Sequence, residues 1–320
     1  MHARRAMVRA TLLVALSACC FGSISPLTVI ALKSGAALQG VQAWRYLTTA
    51  VLLVAYAAWR PSSARPALAG LRPTAPWHSP RVLLIAGGGQ AAVATLALLA
   101  LRWIPAATSA FLFYTYPAWV TILTAVRGTE RLDVVRVAAL VLSLGGIAAM
   151  VGAPDAASLH PIGVITVLSA AVVYAGYIPV LSALQRDRAP LDVARAIAVG
   201  GGALFVVWAL ATGTLFAHFT VTAVGASMLQ GVLSAGAFIG FLSGLAHLGA
   251  VRTAITSTIE PFWTTLLGLV LLGQPIGSGT LVGGAAIMGA VLLLQRPHVP
   301  SDASRSSTSH EGDHPGRPNS

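Results

Sequence analysis

A glutamate followed directly by a proline lies inside a long apolar stretch in the last third of the chain. Glu260 and Pro261 belong to the stretch 256–274, which is long and apolar enough to cross a bilayer. Glu260 follows Arg252 by eight residues, which places it about 12 Å deep at the helical rise of 1.5 Å per residue. An ionisable group at that depth is costly and usually functional, so Glu260 is predicted to bind a proton or contact a solute. The alternative is a protonated glutamate that hydrogen-bonds to a neighbouring helix.

A related stretch occurs 144 residues earlier in the chain. The two stretches align without a gap, and the matched pairs include Pro117 with Pro261 and Trp119 with Trp263. Each proline lacks a backbone N–H, so each is predicted to interrupt its helix and free a carbonyl group. Tyr116 occupies the position that aligns with Glu260, so the acid belongs to one copy only.

Other polar and aromatic side chains in the apolar stretches could contact a solute. Arg45 could bind a substrate carboxylate, extend to the outer interface, or pair with a carbonyl or with Glu260. Aromatic rings with polar groups suit small amphipathic or cationic solutes, although such rings in membrane helices more often pack against other helices. The aromatic candidates are Tyr114, Tyr116, Trp119 and Trp263, and the candidate cavity amides are Gln90 and Gln230.

The composition places the chain in a membrane. Hydrophobic residues make up 56% of the 320 residues and charged residues only 9%, against about 25% charged in a typical soluble domain. The net charge of +11 is explained by arginines between apolar runs, which argues against nucleic acid as a partner. The two cysteines, Cys19 and Cys20, are adjacent in an apolar run and are predicted to be reduced.

Ten helical spans of about 20 residues each are predicted, because only a helix or a closed barrel satisfies its backbone in lipid. They cover residues 10–32, 38–58, 81–101, 104–126, 132–152, 161–184, 191–211, 222–246, 250–271 and 277–295. The chain is therefore expected to be an all-α integral membrane protein. Spans one to five (1–152) and six to ten (161–295) form two repeats, and the tail 297–320 is predicted to be disordered.

The distribution of basic residues predicts the orientation. With the N-terminus inside, 17 of the 20 Lys and Arg residues fall on the cytoplasmic side, and Lys33 and Arg102 fall outside. Both termini are therefore predicted to be cytoplasmic in the plasma (inner) membrane. Because each repeat has an odd number of spans, the second copy inserts in the opposite orientation to the first. Such inverted repeats are common in secondary transporters. An alternative for residues 4–19 is a lipoprotein signal with cleavage before Cys19.

The pattern resembles the EamA type of repeat in the drug/metabolite transporter superfamily, over nearly the whole chain. The first repeat matches at Phe21-Gly22-Ser23, Lys33, Arg45-Tyr46, Pro105–Thr108, Pro117, Gly128–Leu132 and Gly146; the second at Glu260-Pro261, Gly273, Gly283 and Gly289. Gln274 stands where the family usually has the glutamate that Glu130 keeps in the first repeat. The resemblance implies ten helices and a central cavity that moves small solutes, often amino acids or metabolites, outward.

Several functions compete at this point. The first is a carrier that exports amino acids or related metabolites by alternating access, with no cofactor and with proton coupling left open. Multidrug efflux is the alternative, although the first span lacks the acid that small multidrug pumps use. A membrane-embedded enzyme is disfavoured, because no catalytic constellation or metal spacing is found. The expected partners are the lipid bilayer and a small solute, and a homodimer is left open.

Overall fold

The computed structural model is helical, without strands, over the part of the chain that it describes. That part comprises residues 2–59, 76–100, 102–104, 109, 112–129, 133–151, 160–217, 219–273 and 278–294. Residues 60–75 between the second and third predicted spans, the tail that is predicted to be disordered, Glu130 and Gln274 lie outside the described residues.

The helices follow the predicted spans closely, with differences in the first and fourth. In the first half they are α1 (His2–Gly22), α2 (Ile24–Lys33), α3 (Leu38–Trp59), α4 (Pro80–Ala100), α5 (Tyr116–Val126) and α6 (Val134–Val151). The first span is interrupted at Ser23 and therefore consists of α1 and α2. Of the predicted span 104–126, the structure describes a continuous helix only from Tyr116 onward.

The described residues of the second half form five helices. They are α7 (Pro161–Leu184), α8 (Pro190–Ala211), α9 (Val221–Thr256), α10 (Ile259–Leu272) and α11 (Ser278–Leu294). α9 contains a turn at Gly249, whose φ of 76° and ψ of 174° are not helical. This turn lies between the predicted spans 222–246 and 250–271.

Length and composition make many of these helices suitable for a membrane. Five stretches of the described chain are long and apolar enough to cross one: Arg5–Lys33, Pro80–Ala100, Pro161–Leu184, Pro190–Ala211 and Val221–Thr256. Four shorter helices are also apolar: Tyr116–Val126, Val134–Ala149, Ile259–Leu272 and Leu281–Leu294. Large apolar side chains stay exposed on the outside of the bundle, among them Val126, Val134, Val221 and Val270. Such a surface is suited to lipid and not to water.

The helix contacts of the first half recur in the second. The contact between α1 and α9 corresponds to the contact between α7 and α4. The contact between α3 and α9 corresponds in the same way to the contact between α8 and α4. Likewise α1 contacts α10 as α7 contacts α5, while α3 pairs with α8 and α6 pairs with α11. Exchanging the two halves therefore maps these contacts onto one another.

Glycines allow the closest of these contacts. A Cβ at Gly240 would lie 2.9 Å from the Leu13 carbonyl oxygen of α1, and a Cβ at Gly146 of α6 would lie 2.7 Å from the Gly283 carbonyl oxygen of α11. Small residues let membrane helices approach at backbone distance. Gly236, which shares a four-residue spacing with Gly240, has nothing within 4 Å and takes no part in the contact.

Candidate functional site

The helix that carries Glu260 is interrupted just before this residue. Ser257 and Thr258 form a turn between α9 and α10, and both are buried. Their hydroxyls donate to carbonyls three or four residues earlier, at 2.9 and 2.7 Å, and so satisfy part of the helix end. Pro261 is the third residue of α10, where a missing N–H costs no helical hydrogen bond.

The aligned element of the first half is interrupted at nearly the same place. Tyr114 and Thr115 form a turn before α5, one residue out of register with the turn at Ser257 and Thr258. Pro117 is the second residue of α5. The two halves therefore each contribute an interrupted helix, and the α9 and α5 helices are in contact.

The carboxyl group of Glu260 faces a set of polar groups from several helices. Glu260 is half-buried in the first turn of α10, where the helix N-terminus favours a negative charge. The Tyr114 hydroxyl interacts with this carboxyl group. Tyr116, Tyr174, Arg45 and Cys19 are also close enough to interact with it electrostatically.

Tyrosines form the wall around this carboxylate. The Tyr174 ring lies edge-on to Tyr116 at 4.7 Å between centroids and stacks on Phe113 at 5.6 Å. The Tyr116 hydroxyl donates to the Ala254 carbonyl at 3.3 Å, just before the interruption of the Glu260 helix. Five of the six tyrosines of the chain belong to this cluster: Tyr46, Tyr114, Tyr116, Tyr174 and Tyr177.

Tyr46, Tyr174 and Tyr177 are site residues that the sequence did not single out. Tyr46 lies on α3, whereas Tyr174 and Tyr177 lie on α7, and no spacing within the chain relates the two helices. The spacing of three residues on α7 places Tyr174 and Tyr177 on one face, which was the available signal. The Tyr177 hydroxyl donates to the Ala86 carbonyl of α4, whereas the fully buried Tyr46 hydroxyl has no partner among the described residues.

The interruption of the first span lies against the start of α10. Pro26 cannot donate to the Gly22 carbonyl four residues earlier. The Thr264 hydroxyl donates to that carbonyl at 2.9 Å, and the Trp263 indole N–H donates to the Ser23 hydroxyl at 3.0 Å. Trp263 therefore connects α10 to the first span, one turn after Glu260.

Arg45 is buried on α3. Its Nε donates to Ser234 Oγ of α9 at 2.7 Å, and its Nη1 donates to Gln42 Oε1 at 3.1 Å. The guanidinium carbon lies 5.0 Å from the centroid of the Tyr46 ring. The ion pairs found within 4 Å among the described residues do not join Arg45 to Glu260. The guanidinium is therefore close to the carboxylate without forming a direct pair.

The two candidate amides lie in different surroundings. Gln230 is completely buried on α9, and its Oε1 accepts a hydrogen bond from Thr28 of α2 at 3.3 Å. Its Nε2 has no partner among the described residues. Gln90 is half-buried on α4. Trp119 is half-buried and packs against the main core.

An apolar groove lies between α4 and α8. It encloses about 520 Å³ and is lined by Gly88, Ala91, Ala92, Thr95, Leu96, Leu204, Phe205 and Trp208. None of the predicted site residues lines it. Among the described residues, no three His, Cys, Asp or Glu side chains converge on one point that could hold a metal ion.

The fold and the site together define a helical membrane protein with a polar centre between interrupted helices. A solved crystal structure is similar over 89% of this chain and 95% of its own chain, with a TM-score of 0.70. The sequence identity is 20%, so this similarity shows the fold alone. No curated protein sequence matches the chain.

The family follows from the sequence match. The EamA-like transporter family matches twice, at residues 8–152 and at residues 161–296. The chain belongs to this family, whose members are membrane transporters of the drug/metabolite transporter superfamily.

Proposed function

We propose that the protein is a secondary transporter that moves amino acids or related small metabolites by alternating access, with export as its direction. The observation that carries the proposal is Glu260, a membrane-depth carboxylate at an interrupted helix, surrounded by tyrosines from other helices. Interrupted helices near mid-membrane at a repeat interface are where many carriers bind solutes. Export is proposed from the resemblance to EamA-type repeats.

The two repeats supply the means of alternating access. We propose ten spans in two repeats of opposite orientation, which five spans per repeat and the arginine distribution support. The same helix pairs are in contact in the two halves, which supports the proposal that each half can adopt the packing that the other now has. Exchange of the two packings would expose the centre first to one side of the membrane and then to the other.

The charges around the centre favour a solute with an amine. The Glu260 carboxylate can pair with an ammonium group, and the faces of tyrosine rings attract cations. Because Arg45 lies within electrostatic range of the same carboxylate, a carboxylate on the solute has a partner as well. A molecule that carries both groups is an amino acid or a close relative.

Proton exchange is proposed to drive the transport. A carboxylate that binds either a proton or the ammonium group, but not both, couples the two movements in opposite directions. The titratable and charged groups that face Glu260 are Tyr114 and Tyr116 from the α5 segment, Tyr174 from α7, Arg45 from α3 and Cys19 from α1. Glu260 is the only carboxylic acid among these groups.

A second candidate function is efflux of apolar organic cations. The observation in its favour is the tyrosine cluster itself, since aromatic cages bind such cations without any need for a carboxylate on the solute. Transport of cationic dyes that does not compete with any amino acid would select this function.

The test is counterflow in liposomes that contain the purified protein. A panel of labelled amino acids is added outside vesicles loaded with the same unlabelled compound, and accumulation is measured for the wild type and for Glu260→Gln. The proposal requires accumulation of at least one amino acid and its loss in the variant. Equal counterflow by both proteins would remove Glu260 from the mechanism, and no counterflow of any amino acid would overturn the solute class.

A further inference from the structure

A second polar cluster lies on α9, separate from the tyrosines around Glu260. Ser227, Gln230 and Ser234 follow one another at spacings of three and four residues, so they share one face of the helix. All three are completely buried. Their face is directed to α2 through Thr28, which donates to Gln230, and to α3 through Arg45, which donates to Ser234.

This cluster contains polar atoms that the surrounding protein does not satisfy. Gln230 Nε2 and Ser227 Oγ have no hydrogen-bond partner among the described residues, although both side chains are fully buried. An unsatisfied polar group in a low-dielectric interior costs about 1–3 kcal/mol. The two groups lie one turn apart on the helix face where Ser234 accepts a hydrogen bond from Arg45.

The chemistry of the cluster defines the ligand. One N–H of Arg45 Nη1 is taken by Gln42 Oε1. The second N–H of Nη1, the N–H groups of Nη2 and those of Gln230 Nε2 remain as donors, and the Ser227 hydroxyl can donate as well. The sequences of α2, α3 and α9 contain no aspartate or glutamate that could neutralise the guanidinium. Glu260 of α10 lies within electrostatic range of the guanidinium but does not form an ion pair with it within 4 Å. The positive charge and the donors therefore stay available to a carboxylate on the solute.

We propose that Arg45, Gln230 and Ser227 form a carboxylate subsite for the solute, distinct from the amine subsite at Glu260. The side-on edge of Arg45 is taken by Ser234, so the solute carboxylate binds end-on, with Gln230 as its second donor. Ser227 lies seven residues from Ser234, about 10 Å along the helix, and receives the carboxylate as it moves along α9. This subsite rests on the proposed transport function and defines its solutes as amino acids and not simple amines.

The experiment compares three probes that share one side chain. Phenylalanine, phenylalaninamide and 2-phenylethylamine all present an aromatic ring and an amine, but only phenylalanine has a carboxylate. Counterflow of each is measured for the wild type, Gln230→Met and Ser227→Ala. Gln185→Met is the matched control, because its amide also contacts α9, at the Leu242 carbonyl, twelve residues beyond Gln230.

The subsite predicts a preference that the variants abolish. The wild type should transport phenylalanine with a KM about 10-fold below those of the amide and the amine, as a charge-assisted hydrogen bond implies. Gln230→Met should raise the KM for phenylalanine about 10-fold and leave the amine unchanged, which also shows that the variant is folded. Gln230→Glu should reduce phenylalanine transport further, because the added charge repels the carboxylate, while Gln185→Met keeps the wild-type preference.

Two other outcomes overturn the proposal at different levels. Equal transport of all three probes, with variants that affect them equally, overturns the subsite and leaves the carrier function standing. Absence of counterflow with these probes and with every amino acid of the panel overturns the carrier function for amino acids, and the subsite with it.

Discussion

The Trp263 indole N–H donates a hydrogen bond to the hydroxyl of Ser23, at 3.0 Å. Ser23 interrupts the first span, and Trp263 lies one turn after Glu260 in α10. The contact therefore connects the two places where these spans depart from a continuous helix. A shift of α10 during transport has to break this bond or carry the first span with it.

Replacement of Trp263 by phenylalanine is expected to weaken this connection. The variant keeps an aromatic ring but loses the donor, and an interhelical hydrogen bond in a membrane protein contributes about 0.6 kcal/mol, with a maximum of about 1.7 kcal/mol. A small decrease in the melting temperature and a change in the transport rate should follow. Ser23→Ala should have the same effect, and the double variant should be no worse than either single variant. Additive losses would show that the two side chains act independently.

The pH dependence of solute binding is expected to reside in Glu260. Protonation of its carboxyl group removes the charge that attracts the solute amine, so acidification should weaken binding to the wild type. Glu260→Gln should bind more weakly at every pH and without that dependence. Thermal stabilisation by the transported amino acid, titrated across a series of pH values, measures both effects. Asp192→Asn is the control, since this carboxylate pairs with Arg195 at the start of α8, and it should behave as the wild type. A pH dependence that survives in Glu260→Gln would assign it to another group.

Tyr174 is expected to contribute to solute binding through its ring. It contacts Tyr116 and is near Glu260, although it lies on α7, far away in the sequence. A cation–π contact is worth about 1 to 2 kcal/mol when it is desolvated, so Tyr174→Leu should raise the solute Kd about 5- to 30-fold. Tyr56→Leu is the matched control, because the Tyr56 side chain is exposed on α3. Similar losses in both variants would indicate a general effect on stability.

Prolines are the local signals that relate to the interrupted helices. Pro117 and Pro261, which the sequence singled out, each follow a turn in the structure. The interruption at Ser23 was not predicted, although Pro26 leaves the Gly22 carbonyl without its helical donor. The tyrosine cluster could not be derived in this way. Tyr116 and Tyr174, for example, come together only through the packing of α5 against α7. The hydrogen bonds of Arg45 depend likewise on the register between α3 and α9, which no local pattern specifies.

Replacement of Gly249 by any residue with a side chain is expected to destabilise the protein. Its φ of 76° lies in the region that favours glycine, and it turns the chain between the long part of α9 and the segment that leads to Glu260. A non-glycine residue in such a conformation costs about 1–3 kcal/mol, so Gly249→Ala should lower the melting temperature clearly. Gly236→Ala provides the control on the same helix, since Gly236 is helical and an added Cβ there would meet no atom within 4 Å. That substitution should be neutral or slightly stabilising, because alanine is the better helix former. If Gly249→Ala melted at the wild-type temperature, the turn would have to relax without strain, and the fixed geometry before Glu260 would lose its support.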